Sequence, residues 1–191
     1  MLKAIIFDCF DVLVGNGLPL YCQKYLKNDP KLMSIVKKYE IMSNAGKISY
    51  SDFVAKLSDL AEAKPEDVER ILDENPVNQE LISYITKDLR PKYKISILSN
   101  ASGDWIDDFF NKDQRRIFDD IVLSFQHGIV KPDQAIYLLA ASRLGLAPKE
   151  CLFIDDKETY CKGAEAVGMR AIQYLSLPQL RQDLGKTLST S

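Results

Sequence analysis

The sequence predicts an α/β fold in which helices cover both faces of a parallel sheet, with a small all-helical segment inserted after the first strand. Short apolar runs rich in β-branched residues alternate with amphipathic segments in the second half of the chain. Residues 18–89 show only helical periodicity. The 191 residues are 46% hydrophobic, which is enough for one buried core and a small appended subdomain. Strands that alternate with helices imply right-handed crossovers, so we expect the strands to be parallel.

The first strand is predicted at residues 3–7, where a short apolar run has the character of a strand buried on both faces. A loop containing Gly15 and Gly17 follows it. Apolar residues then recur at helical spacing, which predicts two helices. These residues are Tyr21, Tyr25, Leu26, Leu32, Ile35, Val36, Tyr39 and Met42.

Capping signals mark the remaining helices of the insert. Ser49 with Asp52 three residues later resembles a capping box, and Pro65 stands at a first helical position followed by two acidic residues. Leu81, Ile82 and Ile85 continue the helical pattern. The sequence therefore predicts a helical cap at residues 16–85, inserted into a core formed by residues 1–15 and 86–191.

The second half supplies the remaining strands and helices. Buried strands are predicted at residues 93–98, 121–123, 151–154 and 170–174. Helices are predicted near residues 105–110 and 132–144, and through Ala164 and Ala166 up to Gly168. After Leu175 the sequence predicts a short helix with a frayed end.

Composition excludes several classes of partner. The net charge is −2 and the pI about 5.5, which gives no basic surface for nucleic acid. The apolar run 4–7 is interrupted by Asp8, too early for a signal-peptide core or a membrane span. The four cysteines form no C-x-x-C pair. Reduced thiols and a cytoplasmic location are therefore expected, with no nucleic acid or membrane as a partner.

Polar residues follow the predicted strands at positions that a parallel sheet brings to one edge. Asp8, Ser99 and the pair Asp155-Asp156 come at strand ends, and Lys131 lies in a strand-to-helix loop. Each residue alone has an ordinary explanation as a helix cap, a turn or surface charge. Together they provide a carboxylate nucleophile, a hydroxyl, a cation and further carboxylates. That set suits phosphoryl transfer, in which positioning and charge neutralisation provide most of the catalysis.

Four segments of the chain resemble the four motifs of the haloacid dehalogenase superfamily, and the match extends over nearly the whole sequence. The likeness is closest to the branch with a helical cap inserted after the first motif (subfamily IA-like). It implies a Rossmann-like three-layer core. The segments are Ile5–Asp8, Ile97–Asn100, Ser124–Asp133 with its Lys131-Pro132, and Phe153–Asp156 followed by Gly163-Ala164 and Gly168-Met169.

The resemblance implies a role for each residue that matches a motif. Asp8 would be the nucleophile that forms an aspartyl-phosphate. Ser99 and the backbone amide of Asn100 would bind the phosphoryl oxygens, and Lys131 would neutralise charge on the nucleophile and the phosphate. The substrate would be a small phosphorylated molecule.

The resemblance also implies a Mg²⁺ ion. Its ligands would be Asp8, the backbone carbonyl of Phe10, and the pair Asp155-Asp156, with Asp156 as the direct ligand of that pair. Hard oxygen ligands fit Mg²⁺ rather than zinc. The ion would reduce electrostatic repulsion, because an attacking carboxylate and a phosphate dianion repel each other unless positive charge lies nearby.

One position departs from the pattern of phosphatases in this family. They usually carry an aspartate two residues after the nucleophile, where it protonates the leaving group, and this chain has Phe10 there. Asp11 stands one place later, where the family usually has glycine. Three interpretations follow: Asp11 takes over the role; the substrate has a good leaving group or the acid comes from the cap or substrate; or the protein is catalytically weak and serves binding.

A 2-haloacid dehalogenase is a further alternative, because those enzymes resemble this chain in having an aromatic residue at the position of Phe10. Two features count against it. Those enzymes work without Mg²⁺ and generally lack the adjacent acidic pair, which this chain has as Asp155-Asp156. They also use an arginine early in the cap, whereas the first arginine here is Arg70. The sequence therefore predicts a Mg²⁺-dependent phosphatase, with a weakened binding or regulatory protein as the main alternative.

Overall fold

The computed structural model describes residues 1–189 and contains a five-stranded parallel sheet with the strand order β3-β2-β1-β4-β5. The predicted α/β fold is confirmed, and each strand lies within one residue of its expected position. Strand β1 lies in the centre of the sheet, with β2 on one side and β4 on the other. The strands are β1 Ala4–Phe7, β2 Lys94–Ser99, β3 Asp120–Leu123, β4 Cys151–Asp155 and β5 Arg170–Gln173.

Ten α-helices are found in the described part of the chain. The short helix α6 lies where a helix near residues 105–110 was expected, and α7, which follows it, was not predicted. The final helix confirms the prediction for the tail, whose predicted frayed end falls partly on residues 190–191, outside the described residues. The helices are α1 Gly17–Leu26, α2 Pro30–Asn44, α3 Tyr50–Ala61, α4 Pro65–Leu72, α5 Gln79–Tyr84, α6 Ile106–Phe109, α7 Lys112–Arg115, α8 Gln134–Arg143, α9 Glu158–Glu165 and α10 Leu177–Ser189.

Both faces of the sheet are buried, which explains why its strands are continuously apolar. Ile5 and Phe7 point to one face, and Ala4 and Ile6 point to the other, as strand alternation requires. Apolar side chains of α5, α6 and α10 cover the first face. Those of α8 and α9 cover the second. The core therefore has three layers, with the sheet in the middle.

Helices α1 to α4 have an apolar cluster of their own, which includes Tyr21, Leu57 and Val68. The Ser49 capping box is present, with Asp52 accepting from the Ser49 amide, and Pro65 begins α4 as predicted. Because these helices pack together rather than on the sheet, they form a separate small unit. Among residues 1–189, no helix combines the length and hydropathy needed to cross a bilayer.

The extent of the inserted unit, predicted at residues 16–85, stays a prediction. Leu81, Ile82 and Ile85 pack with the sheet residues Ile5 and Ile95 rather than with the cluster of α1 to α4. This packing argues for an insert that ends before α5, so that α5 and the π-helical turn after it (Ile85–Leu89) are counted with the core.

Candidate active site

The sheet order brings three strand ends to one edge. β1 lies between β2 and β4, and Phe7 is aligned with Ile97 and with Ile154. Asp8, the next residue after Phe7, donates its amide hydrogen to the carbonyl of Ile154, at 2.8 Å. Asp8 is therefore level with Asp155 on the neighbouring strand, while Ser99 ends the strand on its other side.

Lys131 joins the two buried carboxylates at this edge. Its Nζ lies 2.8 Å from Oδ1 of Asp8 and 2.6 Å from Oδ2 of Asp155. The lysine is 2% exposed, and both carboxylates are buried. Asp8 and Asp155 together raise the pKa of Lys131, although burial acts in the opposite direction, so the ammonium stays charged. The structure thus brings together three residues that are distant in the sequence.

Asn100 holds the loop that carries Lys131. Its Oδ1 accepts the Lys131 amide at 2.8 Å, and its Nδ2 donates to the Lys131 carbonyl at 3.2 Å. The sequence suggested only the backbone amide of Asn100 as a functional group. The side-chain role depends on the approach of two loops that are 31 residues apart, and no local pattern reveals such an approach.

Asp8 has one carboxylate oxygen engaged and one available. Oδ1 accepts from Lys131 Nζ and, at 2.7 Å, from the amide of Cys9. Among the described residues, no hydrogen bond reaches Oδ2. Burial raises the pKa of Asp8 to about 7, and the negative charge of Asp155 acts in the same direction against the lowering effect of Lys131. Positive charge in addition to Lys131 would be needed to keep this carboxylate fully ionised at neutral pH.

The site offers a set of hard oxygen ligands. One carboxylate oxygen each from Asp8, Asp155 and Asp156 lie within 4.8 Å of one another. Both oxygens of Asp155 already accept hydrogen bonds, from Lys131 Nζ and from the Lys157 amide. Oδ1 of Asp156, by contrast, is buried and has no hydrogen-bond partner. A buried carboxylate oxygen without a partner costs free energy, and a divalent cation would remove that cost.

The electrostatics of Asp156 agree with this geometry. Burial raises its pKa to about 6 against the lowering effect of Lys157, and the charges of Asp155 and Asp11 add to the rise. Repulsion among neighbouring carboxylates is relieved when a divalent cation binds between them. The donor set therefore fits Mg²⁺. The carbonyl of Phe10, which the sequence suggested as a further ligand, stays a prediction.

Ser99 lies at the end of β2 with its hydroxyl buried. The residue is 1% exposed, and its Oγ has no hydrogen-bond partner. A buried hydroxyl without a partner is unusual in a folded protein and points to a ligand atom that would complete it. This observation is compatible with the phosphoryl contact that the sequence suggested for Ser99.

Phe10 and Asp11 diverge in their surroundings. The Phe10 ring packs edge-on against two aromatic rings. Its centroid lies 5.8 Å from that of Trp105 and 5.9 Å from that of Phe109. Asp11 has a φ of 62°, the left-handed conformation that glycine adopts most readily, which explains why glycine is usual there. Its Oδ2 accepts a hydrogen bond from the Asn16 side chain at 2.8 Å. The carboxylate of Asp11 is thus exposed and held by the loop.

A cavity of about 670 Å³ opens above Asp8, between the core and helices α1 to α4. Its wall includes Trp105 and Phe109, which lie where the sequence predicted only a helix near residues 105–110. The Tyr50 ring of α3 meets Trp105 edge-on at 5.2 Å, so the two units touch through aromatic side chains. A cavity of this size accommodates a small organic molecule. The aromatic wall was missed because it forms only when the two units pack together.

Comparison with known proteins gives the family and the fold. A family model described as haloacid dehalogenase-like hydrolase matches residues 2–168. A Mycobacterium tuberculosis protein named as a phosphatase is 39% identical over 72 residues, which are 37% of this chain and 33% of that protein. This chain spans only between 10% and 33% of the length of the first curated relatives that it matches.

Two solved structures share this fold. A family enzyme from Bacteroides thetaiotaomicron, in complex with magnesium and inorganic phosphate, has a TM-score of 0.76 at 19% identity, over 94% of this chain and 99% of that one. A 2-haloacid dehalogenase from Pseudomonas syringae has a TM-score of 0.58 at 19% identity, over 91% and 86% of the two chains. Similarity at this level of identity shows the fold alone.

Proposed function

The chain belongs to the haloacid dehalogenase-like hydrolase family, and on that premise we propose that it is a Mg²⁺-dependent phosphatase acting on a small phosphorylated metabolite. The observation that carries the proposal is the convergence of Asp8, Lys131 and the pair Asp155-Asp156 at one sheet edge below a cavity. The relative named as a phosphatase and the related enzyme solved with magnesium and phosphate support it. The helical unit after the first motif supports the branch with an inserted cap.

In this proposal the metal site consists of Asp8, Asp156 and the backbone carbonyl of Phe10, and Asp155 holds Lys131 and orients the loop. The unpartnered Oδ1 of Asp156 favours it over Asp155 as the direct ligand. When bound, Mg²⁺ would supply positive charge that lowers the repulsion between the nucleophile and the phosphate.

The proposed reaction has two displacement steps. A carboxylate oxygen of Asp8 forms a bond to phosphorus while the bond from phosphorus to the ester oxygen breaks, and the leaving oxygen takes the electron pair. Water then attacks phosphorus, and the bond between phosphorus and the Asp8 oxygen breaks to release Asp8 and inorganic phosphate. The proton that the attacking water loses balances, through solvent, the proton that the leaving oxygen takes up. Lys131 balances the charge of Asp8 in both steps, and the Ser99 hydroxyl and Asn100 amide bind the phosphoryl oxygens.

The leaving oxygen needs a proton, and Phe10 cannot provide one. We expect the double variant Phe10→Asp with Asp11→Gly to raise the turnover of alkyl phosphates by about 10²-fold, at the low end of general acid–base effects. Steady-state kinetics with Mg²⁺ would measure it. The matched control, Phe10→Asn with Asp11→Gly, makes the same changes in packing without an acid and should bring no gain. A double variant that is slower than the native protein would instead identify Asp11 as the working acid.

A screen of phosphate esters and acyl phosphates, with and without Mg²⁺, tests the proposed function directly. Metal-dependent release of phosphate supports the phosphatase. The second candidate function, a weakened family member that binds a ligand or protein partner, is favoured by the packed aromatic ring at Phe10. It predicts a folded, Mg²⁺-binding protein that turns over none of these compounds.

A dehalogenase would be recognised by chloride release from a 2-haloacid in the absence of metal. The cavity gives little support for it, because none of the described residues lining it is an arginine. Arg70 lies on the exposed side of α4, paired with Asp67. The adjacent carboxylates near Asp8 also favour the metal-dependent reaction.

Mg²⁺ binding should stabilise the folded protein and depend on pH. A concentration about 100 times the Kd would raise the free energy of unfolding by about 2.7 kcal/mol. Because the pKa values of Asp8 and Asp156 are raised, protons compete with the metal at low pH, so affinity should increase as pH rises from about 5 to 8. Calorimetry in two buffers of different ionisation enthalpy would detect the released protons.

A pair of variants localises this metal effect. Asp156→Asn removes the carboxylate with the unpartnered oxygen and should abolish the stabilisation by Mg²⁺. Asp107→Asn changes an exposed carboxylate outside the cluster and should leave the stabilisation intact. Equal stabilisation of the native protein and Asp156→Asn by Mg²⁺ would contradict the proposed ligand set.

A further inference from the structure

Lys157 is a cation at the candidate site that the proposed reaction leaves without a role. It follows Asp156 directly and lines the cavity. Among the cavity-lining residues that the structure describes, it is the only lysine or arginine. No ion pair found within residues 1–189 includes it. Burial lowers the pKa of Lys157, but Tyr160 and the carboxylates of Asp156, Asp8 and Glu40 raise it above its usual value, so the side chain stays charged. The ammonium thus faces the cavity in a negative field, with no carboxylate of the described residues in direct contact.

Tyr160 supports the position of this side chain. Lys157 Nζ lies 5.3 Å from the centroid of the Tyr160 ring, and Lys131 Nζ lies 4.9 Å from the same centroid. The ring itself is anchored, since Tyr137 donates a hydrogen bond to the Tyr160 carbonyl at 2.8 Å and Asn100 Nδ2 lies 3.4 Å from the Tyr160 hydroxyl. A cation–π contact orients an ammonium group without neutralising it.

The charges at the site leave a need for positive charge beyond Lys131 and one divalent ion. Asp8, Asp155 and Asp156 carry three negative charges when ionised, and Lys131 with one divalent ion would balance them. A phosphate dianion then adds two negative charges that nothing in the buried part of the site compensates. Glu40 of α2 also lines the cavity and adds to the negative potential. Lys157 is the side chain in place to offset it.

We propose that Lys157 is a substrate-binding residue whose ammonium binds a phosphate oxygen from the cavity side, while Lys131 acts from the buried side of Asp8. Tyr160 is the positioning residue that holds Lys157 toward the cavity. This inference rests on the proposed function, because it takes the ligand to be a phosphate ester. It also gives Tyr160, for which the sequence alone offers no explanation, a physical role.

Binding of inorganic phosphate to the Mg²⁺-loaded protein, measured by titration calorimetry, tests the inference without requiring turnover. Lys157→Met should weaken phosphate binding by about 10- to 100-fold, the range of a charge-assisted hydrogen bond. Lys157→Arg should restore most of the affinity, because it keeps the charge. In ester kinetics the loss should fall mainly on KM rather than on kcat.

Lys162→Met is the matched control. Lys162 lies on the helix that follows Lys157, is exposed, and pairs with Glu158 away from the cavity. Its replacement makes the same change in net charge, so phosphate affinity should stay within about twofold of the native value at moderate salt. Lys157→Gln serves as a second neutral variant if Lys157→Met unfolds.

The outcomes separate the two proposals. Equal phosphate affinity in the native protein and the neutral Lys157 variants overturns the role of Lys157, as does an equal loss in Lys162→Met. A native protein that binds no phosphate with Mg²⁺ present also overturns it. A native protein that binds phosphate through Lys157 but hydrolyses no ester overturns the proposed function and leaves the binding role standing.

Discussion

Asp8→Asn is expected to reduce the hydrolysis of any phosphate ester by at least about 10³-fold, because removal of a nucleophile typically costs a hydrolase most of its rate. The asparagine side chain would keep the shape of the aspartate but could not form the acyl phosphate. Turnover in the presence of Mg²⁺ measures the loss. An acid-quenched single turnover with a radiolabelled phosphate ester should also label the native protein and leave the variant unlabelled.

The loss should not come from unfolding. Lys131 keeps its contact with Asp155 at 2.6 Å when the charge of Asp8 is removed, so the buried ammonium still has a partner. Asp107→Asn is the matched control, since it makes the same chemical change at an exposed carboxylate outside the acidic cluster. Retention of rate and label in Asp8→Asn would refute the assignment of the nucleophile.

Lys131→Met is expected to lower the free energy of unfolding by about 3–5 kcal/mol, which is typical when one partner of a buried ion pair is removed. The change leaves Asp8 and Asp155 buried and close together without a cation. Urea unfolding of the metal-free protein would measure the effect. Activity should be lost as well, since the charge of the nucleophile is no longer balanced.

The destabilisation should depend on pH in a predictable direction. Without Lys131, burial and the charge of Asp155 raise the pKa of Asp8 further, so the folded variant is most stable when Asp8 is protonated. The variant should therefore be closer to the native protein in stability at about pH 5 and fall behind as pH rises to about 8. Lys87→Met, at an exposed position, should show little destabilisation at either pH. An equal loss at both pH values would argue against ionised carboxylates as its cause.

Local patterns in the sequence were sufficient for most of the fold. Strand positions follow from short apolar runs, because both faces of the sheet are covered and the strand residues are therefore mostly apolar. The capping box at Ser49 and Pro65 at the start of α4 are likewise local, since each involves groups within one helical turn. The extent of the insert stays a prediction, because α5 has the same helical period as α1 to α4 and differs from them only in what it packs against.

For the candidate site too, some features could be predicted from the sequence and others could not. Sequence order alone indicated that Asp8, Ser99, Asp155 and Asp156 lie at one edge, because parallel strands present their carboxyl ends together. It did not reveal that Asn100 holds the Lys131 loop, nor that Trp105 and Phe109 face a cavity. Those contacts join segments that are far apart in the sequence, so no local periodicity or residue spacing predicts them.

The sequence by itself determined the family, the α/β core and the chemical types of the site residues, since these follow from hydrophobic pattern and from motifs that each lie within a few residues. Only the tertiary structure decided which oxygens are engaged and which are free. It inserts Lys131 between Asp8 and Asp155, leaves Oδ1 of Asp156 without a partner, and directs Lys157 to the cavity. These contacts depend on the order and register of the strands and on how closely the loops approach one another. They are properties of the packed molecule rather than of any single segment.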